Sequence, residues 1–345
     1  MLTDIGRWVR PRLAAPWGSG LGLARTILAL GTLGTLLATA PKVLMSPLAG
    51  ELPPPACGGL GRAGIWCVLP GDGGQLARFV CVAILLLTAS GWRPRLTAIP
   101  HWYVAWSLIA NATIQDGGDQ ITAVLTLILI PVLLTDSRRW HWQPPPAETG
   151  EVRRVIACTG VLLIQVQMAG LYFQAAVAKL GVAEWANGTA MFYWFRNQTF
   201  GVADWLRPVT DLITGSPVGV SLLTWSAVAI EFALAIAILL PRSAKRLLLP
   251  AGLLFHDMIA LTMGLVSFDL AMSGALLIYL LPIGYQIPAP RWAARPEVHW
   301  AAIRALARPA RRVRISSAAG ASSSSAMASA SRQDLSASAI RPMDS

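Results

Sequence analysis

Apolar residues in this chain fall in long unbroken stretches, and polar residues gather between them. Eight such stretches stand out, at about 21–45, 75–91, 97–115, 119–135, 155–179, 217–240, 246–267 and 270–287. A helix needs roughly 20 apolar residues to cross about 30 Å of hydrocarbon. Most of the stretches come near that length; 75–91 and 119–135 are short and draw on their flanks. Backbone N–H and C=O groups in lipid have no water to bond, so each run satisfies them internally as a helix. The pattern predicts an all-α, polytopic integral membrane bundle of about eight transmembrane helices. The first stretch follows arginines, as a signal peptide's apolar region does. It is too long for that role and lacks a convincing cleavage site, so it reads as a retained span.

Composition agrees. Of the 345 residues, 54% are hydrophobic and 13% charged, whereas a soluble domain carries roughly 25% charged residues. The net charge of +11 raises nucleic-acid binding as a class, and the placement of the charges excludes it. Basic residues concentrate in alternate connections: Arg7, Arg10 and Arg12; Arg93 and Arg95; Arg138, Arg139, Arg153 and Arg154; Arg242, Lys245 and Arg246; then a cluster after residue 290. The intervening connections are poor in Lys and Arg and hold most of the aspartates and glutamates. By the positive-inside rule this alternation puts both termini in the cytoplasm of a multi-pass cell-membrane protein. The cations then serve topology and anionic lipid headgroups, and no nucleic-acid module accompanies them.

The organisation expected is a cytoplasmic segment at 1–20, a transmembrane domain at 21–290, a basic inner-surface helix at 291–315 and a disordered Ser/Ala-rich tail at 316–345. Cys57 and Cys67 share one Gly/Pro-rich outer connection. Facing an oxidising compartment they are expected to form a disulfide, the alternative being two thiols that merely pack. The outer segment 180–216 is rich in aromatics and reads either as an interfacial element or as the cap of a cavity.

Ionisable groups inside a span cost at least about 2.5 kcal/mol at its centre, so each is a functional candidate. Glu231 sits near the middle of the sixth stretch, and His256 with Asp257 near the middle of the seventh. Two antiparallel neighbours bring Glu231 and His256 to similar depth, as a proton relay or as a polar clamp that fixes packing. Arg25 lies near the start of the first stretch and reads as a snorkelling side chain. In the fifth stretch Gln165, Tyr172 and Lys179 recur every seven residues, a polar stripe on one helical face. Lys179 is one of only three lysines. It reads either as an anchor, salt-bridged to Asp116 or Asp119 of the "DGGDQ" turn, or as an amine that acts as a base. No metal-binding, P-loop or nucleophile-elbow motif is present, and no metal is expected.

Taken in order, "LARTILALGTLGTLL", "GIWCVL", "ASGWRPRLTAIPHW", "ATIQDGGDQITAVLTLILIPVLLTDSRRWHW" and "YFQAAVAKL" resemble the sporulation-delaying protein B family over roughly 20–290. That resemblance implies a bacterial membrane protein supporting maturation of a secreted, disulfide-containing antimicrobial peptide toxin, beside a small A-type partner. A wider resemblance links "YFQAAVAKL", with the Trp that follows, to the HTTM domain of the vitamin K-dependent gamma-carboxylase. There the matching lysine is the base that deprotonates a quinol. The match implies that Lys179 takes that place, framed by Tyr172, Phe173 and Trp185. The chain departs from the carboxylase in carrying "DGGDQ" where the latter has a histidine, and in having no room for a large lumenal domain. Neither carboxylation nor a quinol is therefore carried over, and the cofactor stays unassigned.

These readings converge on an HTTM-like bundle with catalytic candidates Lys179, Glu231 and His256 and substrate-binding candidates Asp116, Asp119, Tyr172 and Trp185. The partners expected are membrane lipids, the peptide precursor and the small A-type protein. A noncatalytic scaffold or export factor is the rival, with a small-solute transporter behind it.

Overall fold

The computed structural model describes residues 15–46, 57–69, 71, 74–113, 115–146 and 149–288. Most of the predicted N-terminal segment, the basic helix at 291–315 and the tail at 316–345 lie outside the described residues. Among the described residues, eight helices of 15 residues or more occupy the eight predicted stretches: α1 Ser19–Ala38, α2 Gln75–Ser90, α3 Pro94–Asn111, α4 Gly117–Leu134, α5 Glu151–Leu180, α6 Pro217–Ile236, α7 Arg242–Met263 and α8 Val266–Leu280. Five of them, α1, α4, α5, α6 and α7, are long and apolar enough to cross a membrane, and α2 and α8 are shorter apolar helices. The chain is all-α among the described residues, with one isolated backbone bridge, Trp92 to Trp140. The helices form a membrane-protein bundle.

Local chemistry sets where the helices begin and end. Asp116 caps α4: its Oδ1 accepts from Asp119 N at 2.9 Å, and Asp119 Oδ2 accepts from Asp116 N at 3.3 Å, a reciprocal capping box. Proline opens α3 and α6 at their first turn, where its missing N–H has no intrahelical partner to lose. The first predicted span, 21–45, stops short at Ala38, and residues 41–44 make a separate turn of helix. Pro41 accounts for the break, since the residue before a proline is pushed into extended conformation and Ala40 has ψ 143°. Pro282 ends α8 in the same way at Leu281. That helix also begins earlier than 270, so Asp269 lies in its first turn rather than in an outer connection.

Two apolar clusters fill the interior. One joins Leu28, Leu125, Leu129, Ile164, Met168 and Tyr279 from α1, α4, α5 and α8. The other joins Leu36, Leu85, Val104 and Leu108 of α1, α2 and α3 with Trp66 of the disulfide-bearing connection. Tyr279 Oη donates to Leu234 O at 2.8 Å and accepts from Ile238 N at 3.0 Å, tying α8 to the end of α6. Gln165 Nε2 of α5 donates to Tyr279 O at 3.3 Å. The closest helix contact, α1 on α8, depends on small residues. A Cβ at Gly274 would stand 2.9 Å from both Ala24 O and Leu28 Cγ, and such backbone approach is how helices associate when lipid offers no hydrophobic drive. By contrast, α7 buries only Gly252 and His256.

Arg25 does not snorkel. It is fully buried, and its Nη2 donates to Thr97 Oγ1 of α3 at 2.8 Å. Nearby, the connection after α4 folds under the bundle. Arg138 binds Asp136 through Nε and Nη2 and donates to His141 O and Gln143 O. His141 is 1% exposed, with Nε2 3.3 Å from Thr26 Oγ1. Its ring occupies a slot in which a Cβ at Gly22 or Gly91 would come within 3 Å. Gly91, with φ 87°, also closes α2 in the left-handed region that glycine adopts without penalty.

Two expectations follow. Gly274→Val should lower unfolding stability by about 1–3 kcal/mol, the usual range for forcing methyl groups into a packed contact; thermal unfolding in detergent reads it. Burial, then Arg25 and Arg138, push the His141 imidazole down to about 3 from about 6.5 in the unfolded chain. The folded state therefore binds fewer protons, and the stability that neutral His141 contributes is complete above about pH 6.5 and drains away as pH falls toward 3. His141→Asn should remove part of the fall in melting temperature between pH 7.5 and pH 5.

Candidate functional site

The stripe on α5 opens into a cavity of about 550 Å³ lined from five helices and from the segment after α5. That segment, predicted as an interfacial element or a cap, contains short helices at Ala183–Ala186, Ala190–Phe195 and Arg207–Thr214. Trp185, Met191 and Trp194 from it line the cavity, so it acts as a cap. The rest of the wall is mainly apolar, from Ile121 and Val124 of α4 to Phe268 and Met272 of α8. An apolar chamber with few convergent polar groups is the usual form of a small-ligand or substrate site.

Four of the polar side chains that line it form two pairs. Lys179 Nζ donates to Glu231 Oε1 at 2.7 Å, with side-chain exposures of 22% and 8%. The indole of Trp185 lies 5.2 Å from the same ammonium, a cation–π distance that adds attraction at a partly desolvated site. One layer along, Tyr172 Oη is 3.0 Å from His256 Nε2. Phe255 and Phe268 meet the imidazole edge-on at centroid distances of 5.0 and 5.6 Å and hold its plane. Glu231 Oε2 and His256 Nδ1 are buried without a hydrogen-bond partner. Orphaned polar atoms of this kind are costly unless something binds them, and both belong to residues that line the chamber.

Lys179, Glu231, His256, Tyr172 and Trp185 therefore come together. Glu231 and His256 share the cavity, but each is bonded to a residue of α5 rather than to the other. Asp116 and Asp119 do not hold the amine. Their oxygens are taken by backbone N–H groups in the capping box and by Ser267 Oγ, which donates to Asp116 Oδ2 at 2.8 Å. Their neighbours Gly117 and Gln120 line the chamber instead. Phe173, expected to frame the lysine, is 57% exposed and lies on another face of α5. Asp257 is exposed and does not line the cavity. Gln120, Gln167, Met191 and the two phenylalanines were not singled out from sequence. The seven-residue stripe that exposed Tyr172 and Lys179 carries no signal for the facing helices.

A disulfide joins Cys57 to Cys67, and Asn111 Nδ2 lies 3.3 Å from the Cys67 sulfur. The bridge flanks Ile65 and Trp66, which belong to the second apolar cluster, and neither cysteine lines the Lys179 chamber.

No family model matches the chain, and no solved structure matches it significantly. It is 38% identical over 273 residues to the uncharacterized protein YitO of Bacillus subtilis (strain 168), covering 78% of this chain and 87% of YitO. It is 33% identical over 276 residues to the sporulation-delaying protein SdpB of the same organism, covering 79% of this chain and 84% of SdpB. The chain belongs to the SdpB family. Both matches cover more than three quarters of this chain and of the relative.

The Lys179–Glu231 pair generates a stability expectation. Removing one partner of a buried ion pair typically costs about 3–5 kcal/mol, because the other charge is left uncompensated. Glu231→Leu or Lys179→Leu alone should therefore destabilise strongly, and the double Leu variant should recover about 2 kcal/mol or more of coupling in a double-mutant cycle read by unfolding in detergent.

Proposed function

We propose that this SdpB-family membrane protein supports production of a secreted peptide toxin, and that the chamber at Lys179 acts on the peptide precursor. The observation that carries the reading is an amine held at 2.7 Å by a carboxylate on the wall of an apolar chamber, with an aromatic ring over it. In the proposed topology eight spans place both termini in the cytoplasm and the 180–216 cap outside. The chamber then opens toward the side from which a secreted peptide leaves. A small A-type protein is the proposed partner.

In the catalytic form of this proposal Lys179 is a base, as in the carboxylase-like match. A proton passed from Nζ to Glu231 leaves an amine lone pair and a neutral carboxyl with no change in the net charge of the chamber. Nζ then takes a proton from the substrate. His256 positions Tyr172, or donates from Nδ1 toward the bound group; which ring nitrogen carries hydrogen follows from the direction of the Tyr172 bond. Trp185 and Trp194 exclude water at the mouth.

One observation favours a noncatalytic scaffold or export factor: Lys179 and Glu231 already satisfy each other, as a packing clamp would. Lys179→Arg separates the two readings, because arginine keeps the ion pair and cannot be deprotonated in a protein. The catalytic reading expects loss of toxin maturation by at least about 100-fold, the scale at which general acid–base groups contribute. Membrane insertion should be unchanged. Mass spectrometry of the secreted peptide is the measurement; full maturation with Lys179→Arg removes the base and leaves the scaffold.

A further inference from the structure

A second cavity, of about 630 Å³, lies between the start of α7, the end of α8 and the middle of α5. It shares no lining residue with the Lys179 chamber. Its apolar lining includes Leu162, Leu249, Leu280 and Ile283, beside the polar Gln165 and Tyr285, and Arg242, Lys245 and Arg246 also line it. No described Asp or Glu lines it, and no described carboxylate forms an ion pair with any of the three cations. Lys245 Nζ makes one long contact, 3.4 Å to Ile238 O, while Arg242 and Arg246 are exposed.

One wall is fixed in place. Gly20 N donates to Tyr285 O at 3.0 Å, and Ser19 Oγ to Gln286 Oε1 at 3.1 Å, which pins the turn after α8 to the start of α1. A Cβ at Gly18 would come within 2.1 Å of Tyr285 O. The pocket is therefore built into the bundle, and it does not need a ligand to organise that side.

We propose that this cavity binds a phospholipid with an anionic headgroup, its phosphate among Arg242, Lys245 and Arg246 and an acyl chain along the leucine wall. Both halves of the site are needed for the assignment. Three unpaired cations attract a phosphate, since each basic residue near an anionic lipid surface adds about fivefold in affinity. A free anion would leave the apolar wall bare, whereas a chain in that slot buries it. Basic pockets between membrane helices recognise lipid headgroups by this combination. Neither a peptide nor a second copy of the chain is indicated: the opening presents one sign of charge above an apolar slot, which is the profile of one amphiphile.

The test uses the full-length protein purified in mild detergent and exposed to phosphatidylglycerol, phosphatidylcholine or inorganic phosphate, with native mass spectrometry as readout. Phosphatidylglycerol should be retained at least about tenfold over phosphatidylcholine, and Arg242→Gln/Arg246→Gln should cut its retention by roughly 25-fold. Leu249→Trp, which fills the slot without touching a charge, should also displace it while the protein still folds. Equal retention of the two lipids overturns the proposal, as does retention that neither variant changes. Displacement of the lipid by phosphate at matched concentration overturns it too, because a small-anion site would then suffice.

Discussion

Backbone polar groups in hydrocarbon must find partners within their own segment, and the rest of this structure depends on that constraint. It turns each apolar run into a helix and removes the choice of strand or coil. It also decides where polar side chains go. An ionisable group facing acyl chains costs several kilocalories per mole, which favours turning such groups inward to meet one another, although Asp257 of α7 stays exposed. Arg25 reaches Thr97, Glu231 reaches Lys179 and Tyr172 reaches His256. The buried polar contacts thus record the same solvent as the apolar surface does.

Small residues convert this constraint into a specific bundle. Gly274 lets α1 and α8 touch through Ala24 and Leu28, and Gly160 sets α5 against Val132 of α4. With α6 packed on α5 and α7 on α8, the five helices α4 to α8 together enclose the chamber. α7 buries only two residues, and one of them, His256, is the residue that closes the polar layer across the cavity. Leu248, Leu249 and Leu253 of the same helix pack against the first apolar cluster, whereas His256 lines the chamber.

Much of this was legible in the sequence because its signals are local. Length and apolarity predicted a helix in each of eight stretches. The repeat at Gln165, Tyr172 and Lys179 picked the inward face of α5, and the depth of Glu231 and His256 marked both for the interior, where each bonds to α5 and not to the other. What was not legible depends on distance in space rather than along the chain. The partner of Lys179 was sought in the turn at Asp116 and Asp119, which is close in depth. Those carboxylates were already committed to capping α4, a local use that the D-x-x-D spacing itself foreshadows. The inward turn of Arg25 was hidden for the same reason: a cation near the start of a span looks like a snorkelling one until Thr97 of another helix is placed beside it.

The two cavities show why α5 runs to 30 residues. At about 1.5 Å per residue it is roughly 45 Å long, well beyond the roughly 30 Å of hydrocarbon. Lys179 and Cys158, on its two cavity-lining portions, stand 21 residues apart, about 31 Å along the axis. The two chambers therefore follow one another along α5, the first lined from Gln167 to Lys179 and the second from Cys158 to Gln165, on a shared set of helices, α5, α7 and α8. One presents an amine held by a carboxylate, and the other presents three cations without one. A lysine paired in this way is disposed toward proton exchange with its partner, while unpaired cations over leucines are disposed toward a headgroup. Among the described residues the two sites differ in a carboxylate: Glu231 lines the first chamber, and no described acidic residue lines the second.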